Sequence, residues 1–518
     1  MSAQRLLRQE QGETLKVVLG VNSKSRRDFL RKALALAGGA LAVAGVADLG
    51  IYGLQVDPNA KYRNLFSTTT GLGSIGSTQG LLPDYLDFLD WMKSVSDKVP
   101  SKTSDLTLEQ EFAPYALQAR DPDFLRYGQI NTGYSELPYL VQLEAVQLAV
   151  STKSSSYDVY SIDNQNIASF GSGVISPNEL AQTYPDLTYP KYNAPDFMST
   201  VWDYVATYPP NTAQASGGNS KTNWTLFPLD APLLVFFYRK DIYDKLGFSP
   251  PTTWDEYFQQ AQKLPGNGTP YASASMANAD VSIIYEYLSH LASFGGSLWN
   301  ISGNTVTPAL DSDQCLAALE DFVRFSKYAD PGSHNFTWTD VFTSLATGAS
   351  ATALLWHDYY NWLNDPSRSP FAAGKFVPAL NPAGPAGSFS TYGGAGLGVS
   401  RYSKRPQAAY LWIQWATCKG LQEMTLIDKY HIFPTRTSVF DVPEVQSQIN
   451  SGTLAALSVA KKAWASGTTS LTPFPKWLQV LVPLSNHINN AWTGAETPKQ
   501  ALASAQNYIE SNFPNLTF

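Results

Sequence analysis

The chain has 518 residues, room for roughly two to four domains, and 44% of them are hydrophobic, enough for large cores. Only 15% are charged and the net charge is -7, a balance that excludes a general nucleic-acid binder. Its two cysteines, Cys315 and Cys418, exclude an iron–sulfur pattern and a Cys-based zinc site; each falls in an apolar helical stretch that suits a buried free thiol.

The N-terminus reads as an address. "SRRDFLRK" (25–32) runs into "ALALAGGALAVAGVA" (33–47), a positive segment before a weakly hydrophobic run of small residues. Ser25, Arg26, Arg27, Phe29 and Leu30 resemble a twin-arginine export signal, which implies passage through the Tat translocon. Ala42-Val43-Ala44 and Gly45-Val46-Ala47 both suit a signal peptidase. The low-charge stretch continues to Val56, about 24 residues from Ala33, which is long enough to span a bilayer. Residues 1–56 are therefore either a cleaved signal or an N-terminal anchor. Either way the bulk of the chain works outside the cytoplasm, in the periplasm or at the extracellular face of the membrane. No cysteine follows, which excludes a lipoprotein anchor.

Residues 57–105 are expected to be a linker with one amphipathic helix. "STTTGLGSIGSTQG" (67–80) contains a formal GxGxxG, but no strand precedes it, so it reads as flexible chain. Leu82 to Val95 has Leu, Phe and Trp at helical spacing, and its apolar face suits either a membrane or the protein body. From Leu106 strands and helices alternate. Strands are expected at 106–112, 157–163, 222–229, 231–240 and 394–400, and helices at 82–95, 137–151, 281–294, 313–328, 405–418, 475–492 and 497–513. Thr497 and Gln500 suit a capping box. The alternation predicts an α/β architecture with largely parallel sheets.

Enzyme signatures are missing from the sequence. It has no HExxH, CxxC, P-loop or GxSxG, and its five histidines never form a close pair, so no metal site is expected. Carboxylate pairs for glycoside hydrolysis stay open, because their roles depend on spatial separation.

One block is more specific. "FPLDAPLLVFFYRKDIYDKLGFSPPTTWDEYFQQAQKL" (227–264) resembles the family 1 extracellular solute-binding proteins of ABC importers, the sugar-binding type. The matching positions are Pro228, Tyr238 to Asp241, Gly247, Pro250-Pro251, Thr253-Trp254, Asp255 and Glu256, with Arg239 departing from the usual Asn. Three further blocks agree in order, at 342–359, 392–417 and 432–445, so the likeness runs from 106 to 518. It implies a two-lobe periplasmic-binding-protein-like fold with discontinuous lobes, 106–230 with 391–442 and 231–390 with 443–518. Hinge crossings join them. Pro228 and Pro232 lack a donor and restrict φ where the chain leaves one sheet, and Gly393 and Gly394 mark its return.

Such a protein clamps a solute, most naturally a sugar or oligosaccharide, and delivers it to an ABC permease without chemistry and without a cofactor. Flat aromatics and carboxylates suit sugar faces and hydroxyls. Candidate ligand contacts lie at strand ends and crossings: Asp163, Asp230, Trp356 and Asp358. Asp163 equally suits a helix cap, and Asp230 a turn. Trp477, after Pro475, resembles a family position near ligand; Arg436 suits a structural ion pair. Alternatives are another solute in the same fold, such as a polyamine, which needs an acid-rich cleft, or glycerol phosphate, which needs Arg or a helix N-terminus. A secreted carbohydrate-active enzyme or an exported redox protein is a rival from another class.

Overall fold

The computed structural model describes residues 81–109, 112–209, 224–428 and 432–518; Arg26, Arg27 and the remainder of the leader and linker up to residue 80 lie outside them. The strands that frame the site are, in chain order, β1 (Thr103–Glu109), β2 (Asn131–Leu137), β3 (Val159–Asp163), β4 (Val174–Ile175), β5 (Phe227–Pro228), β6 (Leu234–Arg239), β7 (Tyr271–Ser273), β8 (Ser350–Trp356), β9 (Phe376–Ala379) and β10 (Ala395–Ser400). One sheet has the order β2-β1-β3-β10-β4, with β5 also on β10, and the other has the order β9-β6-β8-β7.

The sheets are mixed, which corrects the expectation of largely parallel ones. β1 runs parallel to β2 and β3, and β8 parallel to β7. β10 is antiparallel to β3, β4 and β5, and β6 is antiparallel to β8 and β9. The reason is topological: β10 enters the first sheet on the chain's return from the second lobe, so it runs against the strands laid down before.

Local chemistry explains the elements. "LVFFYR" of β6 and "SATALLW" of β8 are buried at every position, as near-continuous apolar runs must be in a sheet covered on both faces. The helix after β6, Lys240–Leu246, ends on Gly247 at φ 69°, where glycine avoids the left-handed penalty. Thr253 Oγ1 then accepts from Glu256 N–H at 3.2 Å and starts Trp254–Ala261. Thr497 and Gln500 form the expected capping box.

Two large cores result. In the first, Pro83–Val95 buries Tyr85, Phe88, Leu89 and Met92 against Trp412, Trp415 and Leu397, so its apolar face covers the protein body. The second gathers Phe236, Phe237, Trp254, Phe325 and Trp477, and it takes in Phe433, Val439 and Phe440 from the segment grouped above with the first lobe. Both cysteines are buried and unpaired with each other. Arg436 is fully buried. It donates to the carbonyls of Thr417 (2.8 Å) and Asn193 (3.0 Å) under the rings of Tyr192 and Phe197, with Asp196 at 3.7 Å.

Residues 228–233 and 392–396 cross between the sheets side by side. Leu229 N–H donates to Ala395 O and Gly393 N–H to Pro232 O, each at 2.9 Å, and Leu233 pairs with Tyr392. Gly394 has φ 148°, and a Cβ there would meet the Asp230 carbonyl at 2.9 Å. Gly394→Ala should therefore cost about 1–3 kcal/mol of unfolding free energy. A lowered urea midpoint would register this; an unchanged one would mean that the crossing tolerates a side chain.

Candidate functional site

A cavity of about 570 Å³, counted with the open space at its mouth, lies where the crossings meet the two sheets. The first sheet and its helices supply Leu108, Tyr139, Ser161 and Asp163; the crossings supply Leu229, Asp230, Pro232 and Gly393 to Ala395; the second lobe supplies Tyr285, Trp338 and Trp356. Each side chain has a local reason to be there. β3 ends at Asp163 and β8 at Trp356, so both sit where a strand edge opens into the crevice. Tyr139 and Trp338 are the first residues of the helices Tyr139–Ser151 and Trp338–Ala346. Tyr285 projects from Val281–Ser293, a helix buried on nearly all sides.

The aromatic wall is organised in two edge-to-face pairs. Tyr139 meets Trp338 across the lobes at 5.6 Å and 71°, and Tyr285 meets Trp356 at 5.1 Å and 79°. The lobes also touch through polar groups: Asn164 Nδ2 donates to Ser470 Oγ at 2.7 Å, and Ser169 Oγ to Pro475 O at 3.3 Å.

The carboxylates are set against water. Burial, then the charge of Asp230, raises Asp163 to about 7, while the Tyr139 hydroxyl and the Gln165 amide pull it back. Burial raises Asp230 to about 6, opposed by the Ala395 N–H, which donates to its Oδ1 at 2.9 Å. Asp358 is pushed well above the usual carboxylate range by burial and by the charge of Asp230, against two backbone N–H groups.

The candidate residues from the sequence thus divide. Asp163, Asp230 and Trp356 line the cavity, together with Pro232, Gly393 and Gly394 of the crossings. Pro228 lies one step back, paired with Gly396. Asp358 is not among the lining residues; it lies close enough to feel the charge of Asp230. Trp477 does not reach it: the side chain is fully buried and edge-on to Phe474 at 5.7 Å, because the first turn of Trp477–Thr493 faces the second core. Tyr139, Tyr285 and Trp338 escaped the sequence reading. Trp338 had a usable signal, the Thr337/Asp340 capping box that marks it as a helix start beside a loop; Tyr285 had none. Among the described residues no group of three or more His, Cys, Asp or Glu could hold a metal ion.

Known proteins are similar to this chain in sequence and in fold. The family profile described as bacterial extracellular solute-binding protein matches residues 110–423. A probable amino-acid ABC transporter periplasmic-binding protein of Sinorhizobium fredii is 24% identical over 399 residues, 75% of this chain and 84% of that protein. An erythritol/L-threitol-binding protein of Mycolicibacterium smegmatis is 22% identical over 371 residues, 68% of this chain and 73% of that protein. In structure, maltose-bound MalE3 of T. maritima matches with a TM-score of 0.67 at 19% identity, over 79% of this chain and 99% of that one. An ABC transporter solute-binding protein of Agrobacterium radiobacter in complex with ribitol matches with a TM-score of 0.66 at 19% identity, over 79% and 98%. The fold is therefore the two-lobe one, and the chain belongs to the family of bacterial extracellular solute-binding proteins.

Proposed function

We propose that this protein captures a small polyhydroxylated solute, a sugar or sugar alcohol, by closing its lobes, and delivers it to the permease of an ABC importer. The observation that carries the reading is the cavity at the crossings, walled by Tyr139, Tyr285, Trp338 and Trp356 and edged by Asp163 and Asp230. Ring faces cover the C–H faces of a sugar, and carboxylates accept from its hydroxyls. A ligand that touches both lobes binds the closed form better, and that difference in affinity drives closure, the general behaviour of periplasmic binding proteins. No bond is made or broken, so the protein is a carrier and not an enzyme. The ligands of similar proteins, erythritol or L-threitol, maltose and ribitol, support the class. In this reading Arg26 and Arg27 direct export through the Tat translocon, and the protein works on the outer side of the cytoplasmic membrane. Among the described residues no helix is long and apolar enough to cross a membrane.

Thermal-shift screening against mono- and disaccharides, sugar alcohols and amino acids tests the reading, since a ligand that binds only the folded state raises the melting temperature. A sugar or sugar alcohol should raise it, and recovered products of hydrolysis would contradict a carrier. Trp356→Ala and Asp230→Ala should each weaken binding by about 10- to 100-fold, roughly 1.4–3 kcal/mol, in calorimetric titration. Unaltered affinity in both would reject this cavity as the site. Changing Arg26 and Arg27 together to Lys should leave the precursor in the cytoplasm on fractionation; normal export would remove the Tat assignment.

The carboxylates also give the ligand-free protein a pH signature. Their folded values, about 7 for Asp163 and about 6 for Asp230, lie above the ordinary 3.8, so the folded state holds protons that the unfolded chain releases. The stability this contributes is complete below about pH 4 and is lost as pH rises through about 6 to 7. Asp163→Asn and Asp230→Asn should therefore flatten the fall of melting temperature between pH 5 and pH 8. Parallel curves for variants and native protein would contradict the assignment.

A further inference from the structure

We propose that the solute taken by this cleft carries a protonated amine, as in an amino sugar or an aminated sugar alcohol. The inference rests on the reading of the cavity as the solute site and narrows its chemistry.

The first argument is the charge of the wall. Asp163 and Asp230 line the cavity, and among the described residues no Lys, Arg or His lines it. Asp358 stands close enough to feel the charge of Asp230; it is 5% exposed, and its Oδ1 has no hydrogen-bond partner. The groups that act on these three carboxylates are one another, Tyr139, Gln165 and backbone amides; no cation among the described residues joins them. The neighbouring His357 ring accepts from Leu233 N–H through Nδ1, so that nitrogen carries no proton. Elsewhere several acids pair with arginine, Asp105 and Asp158 with Arg405, Asp428 with Arg120 and Asp196 with Arg436, while Glu286 and Asp121 are buried without a cation and are held by the Met276 N–H and by Thr132 and Tyr134 respectively. The acids of the cleft have no counter-charge of their own, and closure on a neutral guest would bury them still unpaired.

The second argument is the balance of donors and acceptors. Gln165 is fully buried beside Asp163; its Nε2 donates to Tyr139 Oη at 2.8 Å and to Asp163 Oδ2 at 3.3 Å, while its Oε1 has no partner. Asn164 and Asn166 repeat the pattern, with Nδ2 engaged and Oδ1 open. Beside Asp163, just behind the lining, three buried amide oxygens thus stand open as acceptors. A hydroxyl both donates and accepts, whereas an ammonium group only donates, and does so with charge. The third argument is the aromatic wall, whose ring faces attract a cation as well as they cover a sugar.

The test compares matched pairs by calorimetric titration at pH 7.5 and low salt: glucosamine with glucose, galactosamine with galactose, and 1-amino-1-deoxysorbitol with sorbitol, with putrescine and spermidine as a separate arm. At least one amine should bind about tenfold or more tighter than its hydroxyl twin, and added salt should narrow the gap. Asp163→Asn and Asp230→Asn should bring the ratio close to one, because the amine loses far more affinity than its neutral twin. Neutral twins that bind as tightly as the amines overturn this inference and leave the solute-capture reading standing. Tight binding of the linear polyamines alone upholds the amine and overturns the sugar scaffold. Binding by neither set overturns both readings.

Discussion

Ala395 N–H donates to Asp230 Oδ1 at 2.9 Å, and within a few residues Leu229 N–H reaches Ala395 O and Gly393 N–H reaches Pro232 O. This short antiparallel seam is the constraint on which the remaining structure depends. Two crossing strands bonded to one another cannot slide apart, which fixes the register of the two sheets at the crossing. The same seam forms the floor of the cavity. Asp230 serves both purposes: one oxygen ties the crossing, and the side chain edges the space between the lobes.

The floor also explains the electrostatics. A seam between two cores excludes water, and a carboxylate held there is driven toward its neutral form, as Asp163, Asp230 and Asp358 all are. Elsewhere the fold answers the same problem locally. Arg436 fills a buried slot beneath two aromatic rings and satisfies carbonyls from separate loops, and Arg405 joins Asp105 to Asp158 beneath the first sheet. Acids left without a counter-charge beside a cleft place that unmet demand where a guest can meet it.

The legible parts of this site share one property: their geometry is local. Asp163 and Trp356 end apolar strands, and the last residue of a strand faces the crevice whatever lies opposite. Pro228, Pro232 and Gly394 announce a change of direction through φ and missing donors, which need no distant partner. Trp477 shows the limit. A tryptophan opening a helix after Pro475 reads the same whether its turn faces a cleft or a core, and Phe474 fixed it in the core. Tyr139 and Trp338 lie 199 positions apart and meet only because the lobes meet.

From the sequence by itself came the α/β alternation, the four ordered blocks of the resemblance, the crossings and the position of three wall residues, because periodicity, capping and backbone restriction act within a few residues of chain. Tertiary structure decided the strand directions, the burial of Trp477, the aromatic pairs and the company kept by each carboxylate. Those depend on which distant segments are brought together, and on how much water is left between them, and neither is written in the spacing of residues along the chain.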